Sequence, residues 1–238
     1  RNGVWVHGSG KGLFIENYIF ANVFTGVNIE DKGSPVFRKN EVMENHGTGI
    51  YVHNYGEGLF QENNIFTNSK PCVDIETQGN PVFEKNQIHD GLSEGCFIHN
   101  KGLGTFVENT ISLNTQAGVT ITTEGDPKLR ANRIHSGKEC GVFVYDEGYG
   151  LLEENDIYDN KQAGIEVRTA GNPSCRNNHI YNGQHSGIHV HTSGKGSFVQ
   201  NEICGNELSG VIVRTKGDPT LTKNTIHDGR ENGVYVTD

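Results

Sequence analysis

Side chains able to do chemistry gather in one part of the chain. Glu166, Arg168, His189, His191 and Arg214 combine a carboxylate, imidazoles and guanidinium groups. Proton abstraction beside a negative charge needs a base next to a neutralising cation, which makes Glu166, Arg168 and His191 the catalytic candidates. Hydrolysis of a glycan would need two carboxylates in defined opposition at one place, and this cluster contains only the carboxylate of Glu166. We therefore prefer an interpretation without a catalytic site and keep a polysaccharide lyase, epimerase or hydrolase as the alternative.

A second set of residues offers ligands for a metal ion. His7, Glu30, His53, Glu76 and His99 recur at a fixed spacing, and imidazole with carboxylate is a donor set that zinc accepts. A flat strand, however, points such side chains parallel to one another instead of toward one point. We therefore expect ion pairs between His and Glu, with no metal and no cofactor.

An internal repeat of 23 residues positions all these side chains. A glycine holds one position of every repeat except the one where Cys72 stands, and an isoleucine or valine follows the repeat asparagine by two residues. The asparagines recur without one insertion at Asn17, Asn40, Asn63, Asn86, Asn109, Asn132, Asn155, Asn178, Asn201 and Asn224. A regular repeat of this length indicates a solenoid.

The repeat predicts strands. Alternation such as Val27-Asn28-Ile29 is typical of a strand, and stacked coils of strands lie about 4.8 Å apart. The prediction is an all-β, right-handed, single-stranded parallel β-helix of about ten coils with uncapped ends, one domain over residues 1–238. The apolar columns would form its core, the asparagines an amide ladder with a structural role, and the repeat glycines its special turn conformations.

A period of 46 residues lies over the first. Turns written Gly-x-Gly, such as 56–58, alternate with turns ending in proline, such as Ser34-Pro35. The outward positions of the strand after the repeat glycine alternate in the same way between rings and polar residues. The polar coils place Asn28, Glu30, Asp74, Glu76, Thr120, Thr122, Glu166, Arg168, Ile212 and Arg214 there. We predict a binding face made of Trp5, His7, Tyr51, His53, Phe97, His99, Phe143, Tyr145, Arg168, His189, His191 and Arg214.

A row of exposed rings indicates recognition. Aromatic residues and arginine dominate the energetics of protein interfaces, so a protein partner is the first expectation. Aromatic rings also stack on sugars, which keeps a glycan as the alternative partner. A third interpretation is that the rings only stabilise the sheet, because aromatic residues favour strands in any case.

Composition argues against other partners. The net charge is −9 with scattered Lys and Arg, which disfavours a nucleic acid or an anionic membrane, and no apolar run reaches membrane-spanning length. Five cysteines show no C-x-x-C spacing, and the one N-x-Ser sequence, Asn172-Pro173-Ser174, is blocked by proline. Both features favour an intracellular location, in the cytoplasm or nucleus.

Three segments are similar to a known family. They are IHSGKECGVFVYDEGYGLLEENDIYDN (134–160), AGIEVRTAGNP (163–173) and DPTLTKNTIHDGRENG (218–233). They resemble the carbohydrate-binding and sugar-hydrolysis type β-helix repeats of the pectin-lyase-like fold. The chain looks most like the β-helix of F-box only protein 11-like proteins, and the resemblance covers all ten coils.

This resemblance implies the substrate-recognition region of an SCF-type ubiquitin ligase, in which a separate F-box binds the adaptor Skp1. The chain contains no F-box helices, and it lacks the clustered Asp motifs of pectinolytic enzymes and the D-P-H-E motif of alginate epimerases. The first functional expectation is therefore a non-catalytic β-helix that recognises a protein, and a polysaccharide-active or glycan-binding β-helix is the alternative.

Overall fold

The computed structural model describes residues 1–238 and contains strands but no helix. Each strand is three residues long, and we label them β1 to β31 in chain order. Ten coils contribute one strand to each of three parallel sheets, β31 adds an eleventh strand to one of them, and each inner strand pairs with its equivalents in the coils before and after it. This arrangement confirms the predicted all-β parallel solenoid of about ten coils. That residues 1–238 fold as one domain stays a prediction.

The strands divide among the sheets as follows. Sheet A contains β1 (Val4–Val6), β4 (Val27–Ile29), β7 (Ile50–Val52), β10 (Val73–Ile75), β13 (Cys96–Ile98), β16 (Val119–Ile121), β19 (Val142–Val144), β22 (Ile165–Val167), β25 (Ile188–Val190), β28 (Val211–Val213) and β31 (Val234–Val236). Sheet B contains β2 (Leu13–Ile15), β5 (Val36–Arg38), β8 (Leu59–Gln61), β11 (Val82–Glu84), β14 (Thr105–Val107), β17 (Lys128–Arg130), β20 (Leu151–Glu153), β23 (Ser174–Arg176), β26 (Ser197–Val199) and β29 (Thr220–Thr222). Sheet C contains β3 (Tyr18–Phe20), β6 (Glu41–Met43), β9 (Asn64–Phe66), β12 (Gln87–His89), β15 (Thr110–Ser112), β18 (Arg133–His135), β21 (Asp156–Tyr158), β24 (His179–Tyr181), β27 (Glu202–Cys204) and β30 (Thr225–His227).

Stacking between coils, not the single strand, stabilises this fold. Three residues are too few for a strand to be stable alone, yet Asp74 pairs with Phe97 and Phe97 with Thr120 in an unbroken register of 23 residues. The turns also stack, since backbone hydrogen bonds join equivalent turns of neighbouring coils, as the N–H of Ser34 donates to the carbonyl oxygen of Gly10. No helix has the length and apolarity of a membrane span.

The core is a set of apolar columns, as predicted. Thirty-seven buried residues form one cluster along the axis. Within it the rings of Phe60, Phe83 and Phe106 stack with centroids 4.5 and 5.0 Å apart. Burying each such side chain contributes roughly 1.5–3 kcal/mol, and the column repeats this contribution from coil to coil.

The predicted asparagine ladder is continuous. Each side chain from Asn17 to Asn201 donates from Nδ2 to Oδ1 of the asparagine one coil later, over 2.9–3.0 Å. The inner members also donate to a backbone carbonyl, as Asn86 does to Phe60. These bonds satisfy amides that would otherwise be costly to bury.

The repeat glycines have a different role from the one expected. None of them has a left-handed φ, so the prediction that they provide turn conformations is wrong. They are needed because the next coil lies too close for a Cβ atom. A Cβ on Gly141 would lie 2.5 Å from Cγ2 of Ile157 and 2.7 Å from the carbonyl oxygen of Gly164.

Glycine and proline alternate in one column of turns, which explains the 46-residue period. Gly58 and Gly104 have φ of 137° and 109°, in the region that favours glycine, and a Cβ on Gly58 would lie 3.1 Å from the carbonyl oxygen of Pro35. The backbone N–H of Gly104 donates to Oδ1 of Asn80, the residue before proline in the preceding coil. Two successive coils therefore form one matched unit.

Candidate functional site

The outer face of sheet A consists of the outward middle residue of each strand and the residue two positions later. All twelve residues of the predicted binding face lie on it. Trp5, His7 and Arg214 are exposed, and the other nine are half-buried. The structure thus brings these side chains to one surface, while their role in binding stays a prediction.

The rings on this face occur as pairs within one strand. The centroids of Tyr51 and His53 lie 4.3 Å apart, and those of Phe97 and His99 lie 4.2 Å apart. The pairs Trp5–His7, Phe143–Tyr145 and His189–His191 repeat this arrangement in every second coil. The pairs therefore recur about 9.6 Å apart, twice the spacing of neighbouring strands.

Several residues between these pairs are buried, although we expected them to be exposed. Thr120 is 3% exposed and lies between Phe97 and Phe143 in the sheet. Ile212 is buried in the same column, and Asn28, Thr120 and Thr122 are also buried. A short side chain between two rings is covered by them, so the ring pairs form ridges across the face.

The N-terminal half of the face contains paired His and carboxylate groups. Nε2 of His53 lies 3.2 Å from Glu30, and Nε2 of His99 lies 3.1 Å from Asp74. Burial alone would lower the pKa of His99, but the hydrogen bond to Asp74 and the charges of Asp74 and Glu76 raise it overall. The contacts of His53 with Glu30 and of His99 with Glu76, at 3.7 Å, are His–Glu pairs of the kind expected from the sequence. The shorter contact of His99 with Asp74 was not expected, and His7 forms no such pair.

Tyr51 adds a hydrogen bond to this half. Its hydroxyl donates to Glu76, and burial together with that bond raises the pKa of Tyr51. Burial would raise the pKa of Glu76, but the hydrogen bonds from Tyr51 and Asn100 lower it overall. Glu76 is therefore held as a carboxylate by its neighbours.

The C-terminal half contains two arginines that lie over rings. The guanidinium carbon of Arg168 is 4.8 Å from the ring centroid of Phe143 and 5.5 Å from that of Tyr145. The guanidinium carbon of Arg214 is 5.5 Å from the centroid of Tyr235. Both groups are held by cation–π contacts, which restricts their freedom before any ligand binds.

Between these arginines lies a cluster of Glu166, His189 and His191. Oε1 of Glu166 is 3.2 Å from Nε2 of His191, whose Nδ1 contacts the hydroxyl of Thr192 at 2.9 Å. Burial, followed by the charge of His191, lowers the pKa of His189 to about 4. Two of the catalytic candidates, Glu166 and His191, are therefore in contact, whereas the guanidinium of Arg168 lies on the neighbouring rings.

Sequence reasoning missed Cys140 in this cluster. Its thiol donates to Oε2 of Glu166 over 3.2 Å, and burial and then the charge of Glu166 raise the pKa of Cys140 well above its usual value. The two residues are 26 positions apart, so they belong to neighbouring coils but not to one column. No periodic signal identifies such a diagonal contact.

A groove opens beside the N-terminal half of the face, and the sequence did not predict it. Gly47 has no side chain at a position between Phe24 and Lys70, and Tyr51 and Asp74 form part of the same groove. The Glu166–His189–His191 cluster lies elsewhere on the sheet. This groove and the convergent polar groups therefore do not coincide.

The fold and this face define a right-handed parallel β-helix with a ridged, ring-bearing outer sheet. The chain belongs to the family described as right handed beta helix region, whose model matches residues 1–133 and 117–238. No curated protein matches the chain in sequence. The similarity to the F-box only protein 11 β-helix is therefore not confirmed by these comparisons.

Solved structures share the fold at low sequence identity. The periplasmic alginate epimerase AlgG superposes with a TM-score of 0.77 at 15% identity, over 92% of this chain and 60% of the epimerase. The A-module of the Azotobacter vinelandii mannuronan C-5 epimerase AlgE4 has a TM-score of 0.59 at 13% identity, over 100% of this chain and 82% of the module. Pectate lyase Pel9A has a TM-score of 0.57 at 13% identity, over 85% of this chain and 62% of the lyase.

Proposed function

We propose that the outer face of sheet A binds an acidic linear polysaccharide. The observation that most strongly supports this proposal is Arg168, whose guanidinium lies on Phe143 and Tyr145 within a regular row of ring pairs. A guanidinium forms bidentate hydrogen bonds with a carboxylate, and an adjacent ring offers an apolar surface for a sugar. The pair would hold one uronic acid unit.

The periodicity of the face also fits a polymer. Ring pairs recur every second coil, so a chain lying along the axis meets equivalent contacts at regular intervals. Contacts that are weak individually then add along one ligand. Lys70 beside Tyr51 and Arg214 beside Tyr235 provide further cations near rings.

The net charge of −9 does not exclude an anionic ligand. The carboxylates of the N-terminal half contact histidines, and the arginines lie in the other half. Charges farther apart than about 8 Å are largely screened at physiological ionic strength. The local cations therefore decide the interaction.

The comparisons support a polysaccharide more than a protein as the ligand. The three solved structures described above are an alginate epimerase, a mannuronan epimerase and a pectate lyase. The polymers in these names, alginate, mannuronan and pectate, consist of uronic acids. Recognition of a protein substrate by an F-box-type subunit ranks below polysaccharide binding, because no comparison supports the F-box assignment. The intracellular location predicted from the unpaired cysteines stays a prediction.

An epimerase or lyase is the second candidate because Glu166, Arg168 and His191 lie on one face of sheet A. Proton abstraction needs a base next to a neutralising cation, but the guanidinium of Arg168 lies over Phe143 and Tyr145 and makes no ion pair with Glu166. We therefore propose binding without turnover. The turnover alternative is tested on the same samples.

Affinity electrophoresis through gels containing alginate or polygalacturonate tests the proposal, with neutral galactomannan as the reference polymer. We expect retardation in the acidic gels, with affinity about tenfold lower for Arg168→Ala, equivalent to about 1.4 kcal/mol. The matched control is Arg130→Ala, because Arg130 is an exposed arginine on sheet B that contacts Glu154 at 3.2 Å. This control should bind like the wild type.

Each result has a defined meaning. Absence of retardation in both acidic gels would reject the proposal, and equal losses for Arg168→Ala and Arg130→Ala would reject the assigned face. Incubated polymers are also checked for unsaturated uronate by ultraviolet absorption and for changed C5 configuration by NMR. A product that disappears in Glu166→Gln would replace binding with catalysis.

A further inference from the structure

We propose that Glu166, His189 and His191 form a binding site for one divalent transition-metal ion of the zinc class. The inference concerns the donor atoms of these three side chains. It does not depend on the polysaccharide proposal, because a metal titration of the protein alone tests it.

The repeat brings the three residues together from two neighbouring coils. Glu166 of β22 pairs directly with His189 of β25, and His191 follows His189 by two positions on the same face. The donor atoms of all three lie within 4.8 Å of one another. Ligands of a tetrahedral zinc ion lie about 3.4 Å apart when each bond is about 2.1 Å long, so small side-chain rotations complete the geometry.

This convergence of side chains removes the reason for which we expected no metal ion. We argued from the sequence that side chains on a flat strand stay parallel. Here the carboxylate of Glu166 reaches diagonally across to His191, with Oε1 3.2 Å from Nε2. A diagonal contact directs donors from two strands toward one point.

An unpartnered atom supports a ligand at this place. Nε2 of His189 is buried and has no hydrogen-bond partner. A buried polar atom without a partner costs about 1–3 kcal/mol, and native proteins leave few of them. No hydrogen bond therefore competes with a metal ion for Nε2 of His189.

The two flanking arginines do not occupy the carboxylate of Glu166. Arg168 lies over Phe143 on one side, and Arg214 lies over Tyr235 on the other. Neither makes an ion pair with Glu166, whose contacts of this kind are with His191. The Cys140 thiol donates to Oε2 of Glu166 and leaves Oε1 facing His191, as outer hydrogen bonds orient metal ligands elsewhere.

The donor set indicates the class of metal. Two imidazoles and one carboxylate suit zinc and related first-row divalent ions, whereas magnesium and calcium prefer oxygen ligands. Three protein ligands leave a fourth position open to water or another small ligand. The site would therefore be open, not a closed structural zinc site.

Other His–carboxylate groups serve as comparisons. Nε2 of His53 lies 3.2 Å from Glu30, the same distance as in the proposed site, but only one histidine is present. A cluster on sheet C combines His179, Glu202 and Cys204. There the Nε2 atom of His179 already lies 3.5 Å from the Cys204 thiol, and no atom is left buried without a partner.

The test is a zinc titration of chelator-treated, tag-free protein by calorimetry, followed by cobalt(II) absorption spectroscopy. We expect one zinc ion per chain and a dissociation constant weakened at least about tenfold in His189→Ala and in Glu166→Gln. His53→Ala should bind like the wild type. The cobalt spectrum should show ligand-field bands without a thiolate-to-cobalt charge-transfer band, because Cys140 is not a ligand.

The variants separate the possible sites. Zinc binding lost in Cys204→Ser, or a thiolate band in the cobalt complex, would move the site to sheet C and overturn the proposal. Absence of zinc binding, or binding unchanged by both His189→Ala and Glu166→Gln, would also overturn it. Glu166→Gln preserves side-chain shape, and thermal unfolding without metal confirms that each variant is folded.

Discussion

Nδ2 of Asn109 donates to Oδ1 of Asn132 over 2.9 Å, and both side chains are completely inaccessible to solvent. The same Asn109 amide donates to the carbonyl oxygen of Phe83, and its oxygen accepts from the backbone and side chain of Asn86. One residue therefore joins three successive coils. Its loss affects both neighbours.

We predict that Asn109→Asp destabilises the protein by at least about 3 kcal/mol, because it removes both side-chain donors and buries a carboxylate. Urea unfolding followed by circular dichroism measures the change. Asn17→Asp is the matched control, since Asn17 occupies the same column at an exposed end. Equal destabilisation by both substitutions would contradict a stabilising role for the buried ladder.

Gly141→Ala should destabilise the rod by about 1–3 kcal/mol through overpacking. The new Cβ would meet Cγ2 of Ile157 at 2.5 Å and the backbone of Gly164 at 2.7 Å. Gly233 holds the same position in the last coil, where a Cβ would meet only Ile226 at 3.8 Å. Thermal unfolding should therefore give a lower melting temperature for Gly141→Ala than for Gly233→Ala. Equal melting temperatures would contradict the predicted overpacking at Gly141.

His99 should make part of the stability depend on pH. Burial opposes its protonation, but Asp74 and Glu76 raise the pKa of His99 above its ordinary value. The resulting stabilisation is complete below the unfolded pKa of about 6.5 and is lost as pH rises through the higher folded pKa. The difference in unfolding free energy between wild type and His99→Gln should shrink across that interval.

The control for this measurement is His7→Gln, because His7 occupies the same column and stacks on Trp5 without a carboxylate contact. Urea unfolding at several pH values between about 5 and 9 gives both difference curves. A flat curve for His99→Gln would show that its carboxylate contacts do not favour the protonated form in the folded state.

One thiol should react much faster than the other four. All five cysteines are free, and only Cys204 is partly exposed. Burial raises the pKa of Cys72 to about 12, and burial of Cys96, Cys140 and Cys175 likewise raises theirs. An aromatic disulfide reagent should give one fast phase, absent in Cys204→Ser, and four more thiols on unfolding. Two fast thiols would contradict the burial of the core cysteines.

The fold was predictable because stacking makes each coil repeat the requirements of the last. Asn109 forms its hydrogen bond with the asparagine at 132, and Ile111 packs against an apolar residue at 134. The period of the sequence is therefore the period of the coils. The second row of buried asparagines, which includes Asn45 and Asn68, was missed because glycine replaces asparagine in later coils, as at Gly91. There the smaller residue leaves room for Cys72, whose Sγ would lie 2.9 Å from a Cβ of Gly91.

The candidate sites were predictable only in part. Periodicity placed Glu166, His189 and His191 on one face, but their convergence depends on which way each side chain turns. The stacking of Arg168 on Phe143 and the burial of Thr120 likewise depend on the sizes of neighbours one coil away. Such contacts run diagonally or sideways between columns, where a repeat pattern contains no signal.

The alternating column of Pro35, Gly58, Pro81 and Gly104 restricts how this protein can evolve in length. Removing one coil would bring two prolines or two glycines into succession, and a bond like the one that the N–H of Gly104 makes with Asn80 would be lost at that junction. It would also place two ring pairs or two polar coils next to each other on sheet A. Insertions and deletions that preserve the fold should therefore occur in steps of two coils, so the inherited unit is the 46-residue pair.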